Sequence, residues 1–357
     1  MGIYRYLLAC GVVVEHLSGN IPSLTHTGWF AVVGFYVLSG YLITRVLNDV
    51  YAFRFAPFWS NRILRLYPPY FVFLAIGLVL VLGTDSAADF FPAVWKVHPG
   101  FDDWFGVITV FPMGVSPMDW HFRPVPSIWS VGVELLNYAL LYVVVARGKR
   151  AALWVAIGAA SYHVFGLWRG DSLDARYFPF YAALLPFALG ALIYFYTRSS
   201  SRISHRKALL LCSPVAIVCV LAGVLGGVRD TWLFELLFYL NLLFQCLAVL
   251  ALARMTQPTY RRLDKVVGDL SYPVFLGHWL VGYVIAALFF PDLSLGLGLM
   301  AATLLGSTAV AYVACRLQDM LIEPIRSTIR RAATMNAIVG VTGKSRWRPW
   351  TSPQAAK

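Results

Sequence analysis

The sequence predicts an all-α polytopic membrane protein with about ten transmembrane helices and both termini cytoplasmic. Three observations predict it. Hydrophobic residues make up 59% of the 357 and charged residues 13%, and mean hydropathy is +0.68. Apolar stretches of about 18 residues or more recur along the whole chain. Most of the 29 Lys and Arg fall into alternate connections, and short cytoplasmic loops carry such an excess of basic residues. The net charge of +12 therefore reads as topology and attraction to anionic lipid, which argues against nucleic acid as a partner.

The first span, residues 3–20, opens with Arg5 and is interrupted by Glu15-His16. No small-x-small cleavage site follows, so it reads as retained rather than as a signal peptide. Arg5 and His16 stand eleven positions apart, which puts them on one helix face, about 16 Å apart along the axis. The second span, 28–44, holds Gly34-Phe-Tyr-Val-Leu-Ser39-Gly40. Its small residues suit close helix packing and the wall of a ligand channel equally. Arg62-Ile-Leu-Arg65 sets two guanidinium groups at i and i+3 on one helix face, just ahead of Pro68-Pro69 in the third span, 66–83. Arg is suited to bidentate phosphate binding, although positive-inside anchoring asks for the same residues.

The stretch 84–126 is expected outside. It carries Asp102-Asp103 among aromatics and a Trp120-His121 pair, a mixture suited to an interfacial element. The fourth span, 127–146, places Glu134 about 10 Å below the outer surface. Spans at 151–167, 177–197, 208–226 and 232–253 follow. Arg147, Lys149 and Arg150, then Arg198 to Lys207, then Arg254 to Lys265 mark the inner connections between them. The outside keeps only Lys96, Arg123, Arg169, Arg176 and Arg229. The ninth span, 266–290, enters from the cytoplasm and carries His278 about 18 Å in, and the tenth covers 295–317. Residues 1–325 thus form one membrane domain. Residues 326–357 form a basic cytoplasmic tail that loses helical periodicity near Gly340 and Gly343. The five cysteines all fall within spans and show no metal-ligand spacing, so they read as small buried hydrophobes and no metal is expected.

Lipid-embedded ionisable groups are costly and mark functional sites. His16, Glu134 and His278 come to one depth, slightly outward of the midplane, and are the candidate catalytic residues. Imidazole changes charge near neutral pH, and a carboxylate partner fixes its tautomer and raises its basicity. Arg5, Arg62 and Arg65 sit at the inner surface, where they suit a phosphate-bearing ligand.

These residues resemble the motifs of the acyltransferase-3 family of bacterial membrane acyltransferases. Arg5 and His16 resemble its Arg-x10-His signature. Phe35-Tyr-Val-Leu-Ser39-Gly40, Arg62-x-x-Arg65, Ser127-Ile-Trp129-Ser130-Val-Gly-Val-Glu134 and Leu270-Ser271-Tyr272-Pro-Val-Phe-Leu-Gly-His278 follow in the family's order, and Glu323-Pro324 matches loosely. The resemblance runs from about residue 3 to 325. It implies transfer of an acyl group, usually acetyl, from acetyl-CoA or another acyl-CoA in the cytoplasm. The implied acceptor is a hydroxyl of an extracytoplasmic polysaccharide, lipid-linked oligosaccharide or glycolipid, and the implied location is the bacterial cytoplasmic (inner) membrane.

On that reading Arg5, Arg62 and Arg65 hold the donor's phosphates. Ser39, Gly40, Trp129 and Tyr272 line the substrate channel. His16 acts as general base or as acyl carrier, Glu134 orients it, and His278 is a second acid/base or oxyanion donor. Two rival readings stand beside it. A proton-coupled secondary transporter would run His16, Glu134 and His278 as a relay. A lipid-linked glycosyltransferase would use Asp102-Asp103.

Overall fold

The computed structural model describes residues 1–344 except 20, 22–23, 85, 96–97, 199, 226–230, 257–259 and 291–292. Lys96, Arg229 and the tail from 345 onward lie outside the described residues. Among the described residues ten helices lie over the stretches expected to span. They are α1 (Gly2–Leu17), α2 (Thr27–Val46), α3 (Phe55–Gly83), α4 (Ile128–Val143), α5 (Lys149–Arg169), α6 (Phe180–Thr197), α7 (His205–Leu225), α8 (Trp232–Arg254), α9 (Arg261–Phe289) and α10 (Leu297–Leu321). Among the described residues seven helices are long and apolar enough to cross a membrane, and α4 is a shorter apolar helix. The protein is all-helical and polytopic.

Helix α1 is held between α2 and α9, while α2 also packs on α6 and α9 on α10. Small residues set the closest approaches. A Cβ on Gly40 would run into the Phe187 carbonyl, and one on Gly190 into the Val37 carbonyl, so α2 and α6 touch backbone to backbone there. Packing is thus the meaning of Gly40, which lies against α6 rather than in a channel wall. A Cβ on Gly34 would reach 2.8 Å from Gln245 Cδ on α8.

Two boundaries differ from expectation, because an apolar run marks only part of a longer helix and glycine weakens a helix without ending it. Helix α3 begins at Phe55, so Arg62 and Arg65 lie inside it, and Pro68-Pro69 continue it rather than open it. Beyond α10, a further helix α11 (Glu323–Lys344) runs through Gly340 and Gly343, where the sequence suggested an end. Pro273 inside α9 removes the N–H that would serve the Asp269 carbonyl, and the Cys315 thiol donates to that carbonyl at 3.3 Å. Cys315 therefore does more than fill space, while Cys10, Cys212 and Cys246 are free and partly buried.

The 84–126 stretch folds into short helical turns, Ser86–Phe90, Pro92–Trp95 and Phe101–Thr109. Phe91 stacks on Trp279 at 4.0 Å, next to His278, so this segment covers the end of α9. Asp103 Oδ2 accepts from the Gly100 backbone N–H at 2.9 Å at the start of Phe101–Thr109. Its partner in sequence, Asp102, is exposed. Helix capping accounts for Asp103, and Asp102 makes no capping contact.

Candidate active site

Three cavities follow one another through the bundle, each sharing two lining residues with the next. The first is polar and lies between α9, α10 and α11. Lys265, Asp269, Asp319, Glu323, Arg326 and Arg330 line it, and Arg65 and Tyr272 form its inner limit. Arg326 and Arg330 both donate to Glu323, and Arg326 also reaches Asn61 Oδ1 at 3.3 Å. Burial and the charge of Arg65 hold the Arg326 guanidinium down to about 10, against the pull of Glu323.

Arg65 and Tyr272 also line the second cavity, which leaves about 810 Å³ unfilled by atoms. Arg5 from α1, Arg62 from α3, Ser39 from α2 and Glu134 from α4 are among its polar lining residues. Among the described residues none of Arg5, Arg62 and Arg65 has a carboxylate within ion-pair distance. The Nε atoms of Arg5 and Arg62 are buried without a hydrogen-bond partner. Three guanidinium groups without an ion-pair partner suit an anion, beside Glu134 as the carboxylate of the same cavity. Glu134 Oε1 accepts from Ser39 Oγ and from Tyr138 OH, both at 2.5 Å. Tyr138 stands one helical turn after Glu134, a spacing that could have found it from the sequence.

Val32 and Phe275 separate the second cavity from the third, which leaves about 650 Å³ unfilled. Glu15, His16, Arg123, Trp129, Tyr177 and Phe178 are among its lining residues. Here the two histidines meet, His16 Nδ1 lying 2.8 Å from His278 Nε2. His278 Nδ1 lies 2.8 Å from the Phe275 carbonyl oxygen.

A carbonyl only accepts, so Nδ1 of His278 carries a proton and, in the neutral ring, Nε2 offers a lone pair. His16 Nδ1 must then be the donor of the pair. The free lone pair of His16 sits on Nε2, on the ring edge away from His278. The arrangement presents a base whose tautomer is fixed by the protein.

The structure thus brings His16 and His278 together and holds Glu134 apart. The depth argument placed all three at one level, but it said nothing of lateral position. Glu134 points into the arginine-lined cavity, and His278 occupies the place expected of the orienting carboxylate. Ser39 and Tyr272 line the second cavity and Trp129 the third, whereas Gly40 lines none of the three.

The carboxylate beside the histidines is Glu15. Its Oε2 accepts from the backbone N–H groups of Gly28 at 2.5 Å and Trp29 at 3.1 Å, at the start of α2. A carboxylate there satisfies helix N–H groups that otherwise lack partners. Sequence reasoning left Glu15 without a role. It also counted Arg123 only as an outside charge.

Residues 3–315 match the acyltransferase domain of the acyltransferase-3 family. The chain belongs to the acyltransferase-3 family. Among relatives, the O-acetyltransferase OatA of Staphylococcus aureus strain NCTC 8325 is 22% identical over 312 residues, covering 77% of this chain and 49% of OatA. The provisionally named membrane-bound transacylase BcsY of Komagataeibacter xylinus is 24% identical over 326 residues, covering 84% of this chain and 78% of BcsY. The chain spans about half the length of the OatA relatives it matches. No solved structure matches it. Membership favours acyl transfer over a proton relay.

Proposed function

We propose that this acyltransferase-3 protein is an O-acyltransferase of the bacterial cytoplasmic membrane, with ten spans and both termini cytoplasmic. It moves an acyl group, acetyl in the first instance, from cytoplasmic acyl-CoA to a hydroxyl of an extracytoplasmic glycan or glycolipid. One observation carries the reading: arginines without an ion-pair partner line one cavity, His16 lines the next, and the two cavities share Val32 and Phe275.

Arg5, Arg62 and Arg65 take the donor's phosphates, with Arg326 and Arg330 at the mouth. The pantetheine arm, an extended chain, runs past Ser39, Tyr272 and Glu134 toward the partition. The rise from Arg5 to His16, about 16 Å, matches such an arm. His16 Nε2 takes the proton of the acceptor hydroxyl. The oxygen then forms its bond to the thioester carbonyl carbon, the carbon–sulfur bond breaks, and the departing thiolate recovers the proton from His16. General-base assistance of this kind contributes about 100- to 10,000-fold. Packing of Phe91 over Trp279 excludes water that would otherwise hydrolyse the thioester.

The test uses sealed, oriented vesicles with radiolabelled acetyl-CoA on the cytoplasmic side only and a cell-envelope glycan fraction on the other. Label should appear on the glycan, with one free thiol released per transfer. Binding of acetyl-CoA without transfer in any orientation would remove the enzymatic reading. Transfer only when both substrates share one side would remove the cross-membrane path. Cysteine labelling of position 62 from inside, and of positions 102 and 174 from outside, checks the orientation.

A further inference from the structure

Arg123 is 9% exposed and lies on the wall of the histidine cavity, across from α1. Its guanidinium makes one long hydrogen bond, Nη1 to the Pro117 carbonyl at 3.4 Å. Its Nε is buried with no partner, and among the described residues no carboxylate lies within ion-pair distance of it. The other buried external arginine is treated differently: Arg176, 1% exposed, is paired with Glu235 and bonded to Tyr239. Burial alone pushes the Arg123 group down to about 10, so it stays charged at neutral pH. A buried cation without an anion is costly. Glu15 lines the same cavity, but among the described residues no ion pair joins it to Arg123, and its Oε2 is engaged by the start of α2.

The backbone around Arg123 is held. Its N–H donates to the Val94 carbonyl at 3.3 Å, and its own carbonyl accepts from Trp95 Nε1 at 3.2 Å. The guanidinium is therefore carried on a fixed stretch, with five donors of which one is used. Facing the same space, Trp29 stacks on Tyr177 at 4.0 Å and Trp129 meets Phe178 at 4.9 Å. Aromatic faces suit the apolar faces of a sugar ring, and a guanidinium suits a bidentate oxyanion.

We infer that Arg123 is a specificity-determining residue whose partner is an anionic group on the acceptor, a sugar carboxylate or a phosphate, held beside the hydroxyl that His16 addresses. This deepens the proposed function by naming the acceptor's charge. It rests on that reading only for the word acceptor.

Binding without any acyl donor tests it, so its failure is separable from failure of acyl transfer. Nanodisc-reconstituted protein is titrated calorimetrically with octyl β-glucuronide, with glucose 1-(octyl phosphate) and with neutral octyl β-glucoside below its micelle concentration. The wild type should bind one of the anionic glycosides about tenfold or more tightly than the neutral one, and which of them it prefers separates carboxylate from phosphate. Arg123→Gln should reduce that ratio to near one. Arg123→Lys should keep part of it, since an ammonium supplies charge without the fork. Equal affinities in the wild type, no binding of either anionic glycoside, or an unchanged ratio in Arg123→Gln would overturn the inference. A lowered melting temperature with the ratio intact would make Arg123 a brace for the 94–123 segment instead.

Discussion

Removing His278 examines the histidine pair most directly, because His278 touches His16 at 2.8 Å and is itself fully buried. In His278→Ala the His16 Nδ1–H loses its acceptor. An unsatisfied donor of this kind costs about 1–3 kcal/mol, a factor of about 5–150, and here the cost falls on the tautomer that leaves Nε2 free. His16→Ala removes the base outright and should lose about 100- to 10,000-fold, or about 2.7–5.5 kcal/mol of barrier. The two side chains act as one unit, so the double variant should be no slower than His16→Ala alone. His278→Gln restores an acceptor oxygen and should recover part of the loss. The assay is single-turnover transfer from radiolabelled acetyl-CoA in membranes, with melting temperatures recorded in parallel. Multiplicative losses in the double variant would show that the two histidines act separately, and the relay of hydrogen bonds derived above would be wrong.

Arg62→Gln combined with Arg65→Gln should raise the apparent KM for acyl-CoA about tenfold or more and weaken its salt dependence, with turnover less affected; donor titrations at two ionic strengths decide it. Gly40→Val should cost about 1–3 kcal/mol of stability, read as a lower melting temperature, because its side chain meets the Phe187 backbone. Burial would raise the Glu323 carboxyl, but Arg330 and Arg326 outweigh it and hold the group below its usual range. Its stabilising contribution is therefore full above pH ~4.3 and is lost as pH falls through the lowered value. Melting temperature should drop across that acidic window in the wild type, and Glu323→Gln should flatten that part of the curve.

The helices were legible because each long apolar stretch folded as one, and the histidines because distance along a helix, from Arg5 for His16 and from the span's start for His278, fixes relative height. Lateral position was not legible. Glu134 was chosen by height, yet the face of α4 that carries it and Tyr138 turns toward Ser39 rather than toward His16. Ser39 and Gly40 are neighbours in one motif, but consecutive residues on a helix point about 100° apart, and one meets the cavity while the other meets α6. Arg123 was invisible as a site because its meaning lies in what it lacks, and missing partners appear only once the fold surrounds the residue.

Phe275 ties these parts together. Its ring helps divide the two compartments, and its carbonyl accepts from Ser127 Oγ at 2.8 Å as well as from His278. Swinging this backbone aside to join the compartments would release His278, and with it the proton that keeps His16 a base. Turning only the Phe275 ring about its side-chain bonds leaves that carbonyl in place, so on the proposed mechanism the ring's rotation opens the partition to a thioester while His16 keeps its free lone pair.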